Sequence, residues 1–450
     1  MGGSDEAPAT GGLVGLFNKS LNLVAGALGF EGLSTEAVPE KEIEEDEGRK
    51  EDKKALWGSL KDMVGKDVTS FMSLPISFFE PTTTHQRIVE SFEFHDLIVS
   101  ANESEDPMER LALVAAFYFS PYYCSARPFK PFNPILGETL EVVDESTGLQ
   151  VLMEQVSHHP PVYVGQATVE GSFKTWIRGD PKTKFLGNKI EVFPGADLVV
   201  QLDRHPKDLI SVSVPSTIAH NIIIGGMWID NYGDLEVTNH ATGEKCVLTF
   251  KKCGWLGADY RQVHGHCFDA EGAKKMVVKG QWGADAELMC TPCHPNGEPM
   301  VGAGWRTLFR APKLPDTKYL ISQYLIDMNK VSQDPKEACL IAPSDGRFRP
   351  DMQGLISEDA VSAGEGKRTI EERQRACRKK LKEEGREWRP VHFKEGKDEA
   401  TGLTLWEYVG NYWEKRAERK QQLEAGTLEA KAPVFSPSLF EQAEGGDDGK

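Results

Sequence analysis

Residues 149–161 read LQVLMEQVSHHPP, and the architecture turns on where that run stops. Its first eight residues have the alternation of a strand. Pro160 and Pro161 have no N–H to give to a sheet ladder, so the strand ends against them. That leaves His158 and His159 side by side at a rim, on a rigid stop, with both imidazoles able to face a polar ligand. In either charge state an imidazole donates hydrogen bonds to phosphate oxygens, and protonation adds attraction. For an isolated pair, the plainer reading is two surface histidines at a strand end.

Outward from this run, about Gly137 to Leu308 is a succession of short apolar stretches broken by turns. KTKFLGNKIEVF (182–193), LISVSVP (209–215) and HNIIIGGMWI (220–229) are strand candidates. So are LEVTNHATGEKCVLTF (235–250), YRQVHGHCF (260–268) and KKMVVKGQW (274–282). Asn239–Gly243 and Ala270–Gly272 read as hairpin turns. So many consecutive short strands predict a sheet closed on itself or nearly so. Leu56 to Ala116 has a helical pattern, broken by LPISFFEP at 74–81. Thr82–Thr84 can cap the helix that follows, and Asp106-Pro107 opens another. After Asp327 the pattern is helical again, and residues 365–384 are dense in Lys, Arg and Glu.

The chain sets 52 Lys and Arg against 69 Asp and Glu, a formal charge of −17 over 450 residues. A polyanion needs concentrated positive charge, so nucleic acid is excluded as a general partner. No run approaches the ~18 apolar residues of a membrane span. Residues 13–30 carry apolar side chains at helical spacing with a nearly uncharged opposite face. They fit either an amphipathic segment on loosely packed bilayers or a terminal helix on its own domain. Residues 36–52 hold nine acidic and three basic side chains and read as a solvated linker. Asp5 and Glu6 stand where a secretory signal would be positive, so the cytosol is expected, with all eight cysteines reduced.

Catalytic templates fail: GxSxG, HExxH and GxxxxGK[ST] are absent, and no enzyme is expected. His264, His266, Cys267, Cys290, Cys293 and His294 are zinc-ligand types, but only one CxxC pair occurs, so no metal or cofactor is expected.

The string EQVSHHPP at 154–161 resembles the fingerprint of the oxysterol-binding protein-related (OSBP/ORP) family. KPFNPILGETLE at 130–141 resembles that family's second signature. SLPISFFEP (73–81), SDGRFRPD (344–351) and KRTIEERQRACRKK (367–380) fall in the family's order. GFEGL (29–33) and KTKFLGN (182–188) are similar to short plant-type members, and no pleckstrin-type domain or ankyrin repeat is present. The chain departs from the family at Trp388-Arg-Pro-Val-His-Phe393, where a Pro-Arg-Trp-Phe-like string is usual.

The resemblance implies an α+β, β-dominated fold: a near-complete antiparallel β-barrel around a hydrophobic tunnel, with an N-terminal lid and a C-terminal helical layer. On that basis 1–35 is an amphipathic segment, 36–55 an acidic linker, 56–440 the lipid-binding domain and 441–450 a disordered acidic tail. Within the domain the lid is 66–81, the barrel about 130–310 and the helical region 320–425.

The function it implies is lipid transfer between membranes, one lipid at a time. A sterol, or phosphatidylserine, is exchanged for phosphatidylinositol 4-phosphate. Lys130 and Asn133 match mouth residues that contact the head group, and His158 and His159 match the pair that grips the 4-phosphate. Lys367, Glu371 and Arg375 match a row with Lys and Arg on phosphates and Glu on an inositol hydroxyl. Four-residue spacing puts the three on one helix face, which alone would read as a salt-bridged solvated face.

Thr69, Met72, Leu74 and Pro75 fall at the lid and tunnel mouth. Expected partners are lipids and, peripherally, endoplasmic reticulum and Golgi membranes. A docking protein at the endoplasmic reticulum has no clear motif, since Phe78-Phe79 lies inside SLPISFFEP. A monomer is expected. Two other classes stay in view: a sensor or scaffold that binds the same head group without transfer, and a zinc- or thiol-dependent enzyme around residues 253–294.

Overall fold

The computed structural model describes residues 47–69, 74–254, 257–428 and 439–444; the 13–30 segment and Met72 lie outside them. Leu149–His158 is a strand, and its partner Pro161–Val169 begins at the second proline. Antiparallel neighbours follow almost in chain order from the edge strand Thr139–Asp144 to Arg306–Arg310, twelve strands of a 15-stranded sheet. The other three, Lys182–Phe185, Lys189–Phe193 and Ser216–His220, form a flap that joins this path at Trp228–Asn239. Among the described residues the two edges do not pair, so hydrogen bonding closes no barrel. No helix among them is long and apolar enough to cross a membrane.

Both predicted hairpins form, joining Trp228–Asn239 to Lys245–Phe250 and Gln262–Phe268 to Lys274–Gln281. HNIIIGGMWI differs from its reading. The strand ends at His220, and Ile222–Ile224 is a buried loop. Asn188 holds it: its Oδ1 accepts from the N–H groups of Ile223 and Ile224, and its amide donates to the Ile224 carbonyl. These bonds replace the ladder that a strand would have supplied.

One face of the sheet carries the main core, where Val151, Met153, Tyr163, Ala167 and Ile177 pack with the helix Pro107–Phe119. That helix is buried almost all round, as its apolar sequence requires. Asp106 caps it, with Oδ1 2.8 Å from the Met108 N–H, and Pro107 fills the first turn. Thr83 closes a capping box with Gln86 on the helix Thr84–Val89.

The helix Glu47–Leu60 begins inside the stretch that reads as a linker. Long-range contacts hold it. The Arg49 guanidinium lies 5.2 and 4.7 Å from the ring centres of Phe78 and Phe129 and donates to the Pro128 carbonyl. Lys53 donates to the carbonyls of Asn221 and Gly225. Leu56 and Leu60 then bury with Phe78, Phe79, Phe132 and Ile222–Ile224.

At the other terminus, Leu439–Glu444 is a helix whose Leu439 and Ala443 bury beside Cys377 and Leu381 of the long helix Ala360–Glu383. The disorder expected for 441–450 therefore does not include 441–444.

The string that departs from the family packs onto the signature strand. Glu154 accepts from the N–H groups of Val391 and His392 at 2.7 and 2.9 Å, and Phe393 buries with Leu152 and Val164. The Trp388 indole covers Gly137, where an added Cβ would sit 2.3 Å from the ring at a φ of +76°. Only glycine fits there.

Candidate functional site

A bulge sets the rim. Gln155 pairs with Tyr163 but Ser157 pairs with Val162, and the Gln155 amide pins the extra residue by donating to the Ser157 carbonyl at 2.6 Å. His158 and His159 leave this bulge with ring centroids 4.6 Å apart. Gln374 of the long helix holds His158, its Nε2 lying 2.9 Å from the imidazole Nε2. Gln374 Oε1 accepts from the Leu136 N–H at 2.8 Å. The rim, the helix and the KPFN loop are thereby tied together.

Lys130 donates to Asn133 Oδ1 at 2.6 Å. Lys130 and Lys367 share one aromatic ring, with Nζ atoms 5.3 and 5.4 Å from the centre of Phe79. Phe79 stacks on Phe132 at 4.7 Å, so the platform under both ammonium groups is rigid. Lys367 pairs with Glu371 at 2.7 Å, and Arg375 stands 4.0 Å from Glu371. The row shares a face, as its spacing predicts. Side-chain exposure climbs along it from 13% at Lys367 to 65% at Arg375, so only the first cation belongs to the body of the site.

The charges share one bias. Burial, with Lys367 and Arg349 close by, pushes Lys130 down to about 7; Glu371 opposes this weakly. Burial, then His159 and Arg378, takes His158 down to about 4, and burial with Arg378 also lowers His159. Donors crowd donors here. An anion bound among them would reverse each of these shifts.

Sequence reasoning missed three members of this arrangement. Arg349 donates to the Asn133 carbonyl at 3.0 Å and to Glu138 at 2.7 Å, and makes a two-pronged pair with Asp351, so it braces the KPFN loop from behind. Gln374 and Arg378 are four apart on the long helix, beside the predicted row. Arg349 was in view within SDGRFRPD, but only tertiary contact reveals its target.

Of the residues read as lid, Val68 and Leu74 pack on the Phe79 side, and Met72 lies outside the described residues. Thr69 donates through its N–H and Oγ1 to Asp67 and accepts from the Thr183 N–H. Leu74 buries in the cluster that contains Phe79 and the N-terminal helix, and Pro75 precedes the turn Ile76–Phe78. Cys290 and Cys293 are buried free thiols, and burial raises both. Among the described residues no three His, Cys, Asp or Glu side chains are grouped to hold a metal.

A β-dominated domain with basic groups at one rim of its sheet suits an anionic ligand, and comparison with known proteins gives the family. The family model described as Oxysterol-binding protein matches residues 55–417. The chain belongs to the oxysterol-binding protein family. It is 34% identical over 432 residues to oxysterol-binding protein-related protein 3B of Arabidopsis thaliana, covering 94% of this chain and 92% of that one.

Among solved structures, the Osh1 ORD domain in complex with cholesterol is similar at a TM-score of 0.74 and 27% identity, over 93% of this chain and 99% of that one. The Osh3 ORD of Saccharomyces cerevisiae in complex with PI(4)P is similar at a TM-score of 0.67 and 25% identity, over 84% and 95%.

Proposed function

We propose that this protein extracts phosphatidylinositol 4-phosphate and a second lipid, a sterol or phosphatidylserine, one at a time, and carries them between membranes. The observation that supports this best is the pair Lys130 and Lys367 over Phe79, with His158 and His159 at the rim bulge tied to the helix of Lys367 through Gln374. Such a cluster suits a dianionic phosphate even on a chain of charge −17. The relatives' ligands, cholesterol on Osh1 and PI(4)P on Osh3, agree with the two kinds of cargo.

In this reading the imidazoles, Lys367 and Arg375 take the phosphates, Lys130 and Asn133 contact the head group at the mouth, and Glu371 takes an inositol hydroxyl. The sheet wraps a hydrophobic tunnel. The segment read as 66–81 is the lid, with Thr69, Leu74 and Pro75 beside the tunnel mouth. The protein works from the cytosol as a monomer at the surfaces of the endoplasmic reticulum and Golgi. No step needs covalent catalysis or a metal.

A two-vesicle assay tests this. Donor vesicles carry phosphatidylinositol 4-phosphate, acceptor vesicles carry cholesterol, and the expected result is net movement of each lipid against the other. Binding without net movement would favour the sensor or scaffold reading.

A further inference from the structure

Residues 299–305, PMVGAGW, carry no charge and lie between Glu298 and Arg306, in the connection from the strand Glu287–Pro292 to the edge strand Arg306–Arg310. That connection is fixed in place. The Met300 N–H donates to the Pro292 carbonyl at 3.0 Å, and Thr291 Oγ1 donates to the Gly304 carbonyl at 2.5 Å. At the tip the Ala303 N–H closes onto the Met300 carbonyl at 3.2 Å, with Gly302 at a φ of +83°. This is a type II turn, with Val301 at its outer corner.

The turn aims apolar side chains at solvent. Val301 is fully exposed, Met300 is 42% exposed and Trp305 39%. Single exposed apolar residues are ordinary, but three between 300 and 305 on a fixed turn make a patch. The Lys279 ammonium stands 3.8 Å from the centre of the Trp305 ring.

Register shows where the patch sits. Pro292 lies opposite Met276, and Phe268 lies between Lys274 and Lys245. The same row continues strand by strand to Leu149, opposite Asp144. His158 is at the far end of the strand that Leu149 opens. The patch and the head-group rim therefore occupy opposite ends of the strands.

The order of side chains along the turn follows the layers of a bilayer surface. Valine and methionine at a tip gain by entering hydrocarbon, and an indole settles at head-group level. A lysine beside that indole keeps its ammonium in water while its stem lies on apolar surface. With no charge from 299 to 305, insertion buries no ion.

We propose that the turn Met300–Ala303 inserts into a bilayer, with Trp305 and Lys279 at head-group level, and holds the protein on a membrane by the end opposite the rim. This goes beyond the lipid-carrying reading and does not need it, because the rim residues take no part.

Flotation of the full chain with dioleoylphosphatidylcholine vesicles, which contain no phosphoinositide, tests this. Val301→Asp should lower the partition coefficient about tenfold, the scale of one valine returned to water. Val301→Trp should raise it several-fold, and Val409→Asp, at an exposed valine elsewhere, should leave it unchanged. All three variants should melt with the unaltered chain, since neither valine is buried. Water-soluble dibutanoyl phosphatidylinositol 4-phosphate should bind Val301→Asp and the unaltered chain alike.

No flotation of the unaltered chain, or equal flotation of Val301→Asp, would overturn the proposal. So would loss of the soluble phosphoinositide in Val301→Asp, which would mark an effect on the mouth. A dimer in sedimentation velocity that Val301→Asp abolishes would assign the patch to a second copy of the chain and overturn the membrane role. If the unaltered chain floats but never binds the soluble phosphoinositide, the head-group reading fails and the membrane turn stands.

Discussion

Arg127 and Lys130 are three residues apart and differ in what surrounds them. Arg127 is fully buried, 2.9 Å from Glu80 and 2.8 Å from Glu90, and these carboxylates drive its pKa far above the ordinary value despite burial. Arg349 with Glu138 and Asp351 repeats the pattern, as does Arg347 with Asp345. Lys130 instead meets Lys367, Arg349 and Arg87, with Glu371 alone in opposition. In the body, charge is matched and structural. At the rim, basic groups outnumber carboxylates, and burial together with neighbouring cations holds Lys130, His158 and His159 short of full protonation, so they can take up a proton, unlike arginine. A ligand anion can complete the second set but not the first.

The contrast breaks most visibly at Arg127. Arg127→Met should destabilise the chain by about 3 kcal/mol, because Glu80 and Glu90 would stay buried with only Arg87, 3.6 Å from Glu80, left to balance two carboxylates. Thermal or urea unfolding followed by circular dichroism measures this, and a loss under ~1 kcal/mol would mean that the matched set is not structural. At the rim the order of effects inverts. Replacing both His158 and His159 by Ala should cost stability only about 1 kcal/mol, the scale of the Gln374–His158 bond, and lower phosphatidylinositol 4-phosphate affinity about a hundredfold or more, at roughly 1.5–3 kcal/mol per bond to a charged group. A folded double variant that still extracts the phosphoinositide at the unaltered level would place the head group elsewhere.

Local chemistry made much of the fold legible. Pro160-Pro161 stops a strand, Asp106-Pro107 starts a helix, and Asn239–Gly243 turns a hairpin, each for reasons contained within a few residues. The failures share a different cause. Glu47–Leu60 looks like linker because the partners of Arg49 and Lys53 lie at Pro128, Asn221 and Gly225. Ile222–Ile224 looks like strand because nothing local announces Asn188.

The site divides in the same way. The family strings singled out the residues proposed for the head group. Gln374, Arg349 and Arg378 were invisible until the helix and loop met the rim.

The excess at the rim also predicts opposite pH trends for binding and stability. An anion at Lys130 raises a pKa that starts near 7, so between 7 and the raised value the complex holds a proton that the free protein lacks. Affinity should then fall as pH rises, by up to about tenfold per unit. The lipid-free chain runs the other way. Unfolded, this lysine stays protonated to its ordinary 10.5; folded, it is largely neutral above 7, so the unfolded state binds more protons and stability rises with pH across that window. Vesicle binding and melting temperature, measured from pH 7 to 9 above the titration of the phosphate itself, read both trends. Lys130→Arg, which does not titrate here, should flatten both. Trends of the same sign would refute this account of Lys130.

The finest distinction lies on the long helix, between Arg375 and Arg378. Spacing alone favours Arg375, the third member of the predicted row. Its side chain is 65% exposed, however, and its nearest charge is Glu371 at 4.0 Å. Arg378 is partly buried, and its positive charge is felt at both imidazoles. Arg378→Ala should therefore raise the titration midpoint of His159, readable by NMR, and weaken head-group binding a few-fold at low salt. Arg375→Ala should leave that midpoint in place and cost about twofold or less, the scale of an exposed charge. Both losses should shrink at 1 M salt, where the screening length falls to about 3 Å, and Arg378 should retain more of its effect because it is less exposed. If Arg375→Ala costs more and Arg378→Ala leaves His159 untouched, the row read from spacing is the grip on the phosphate, and the field at the histidines is incidental to binding.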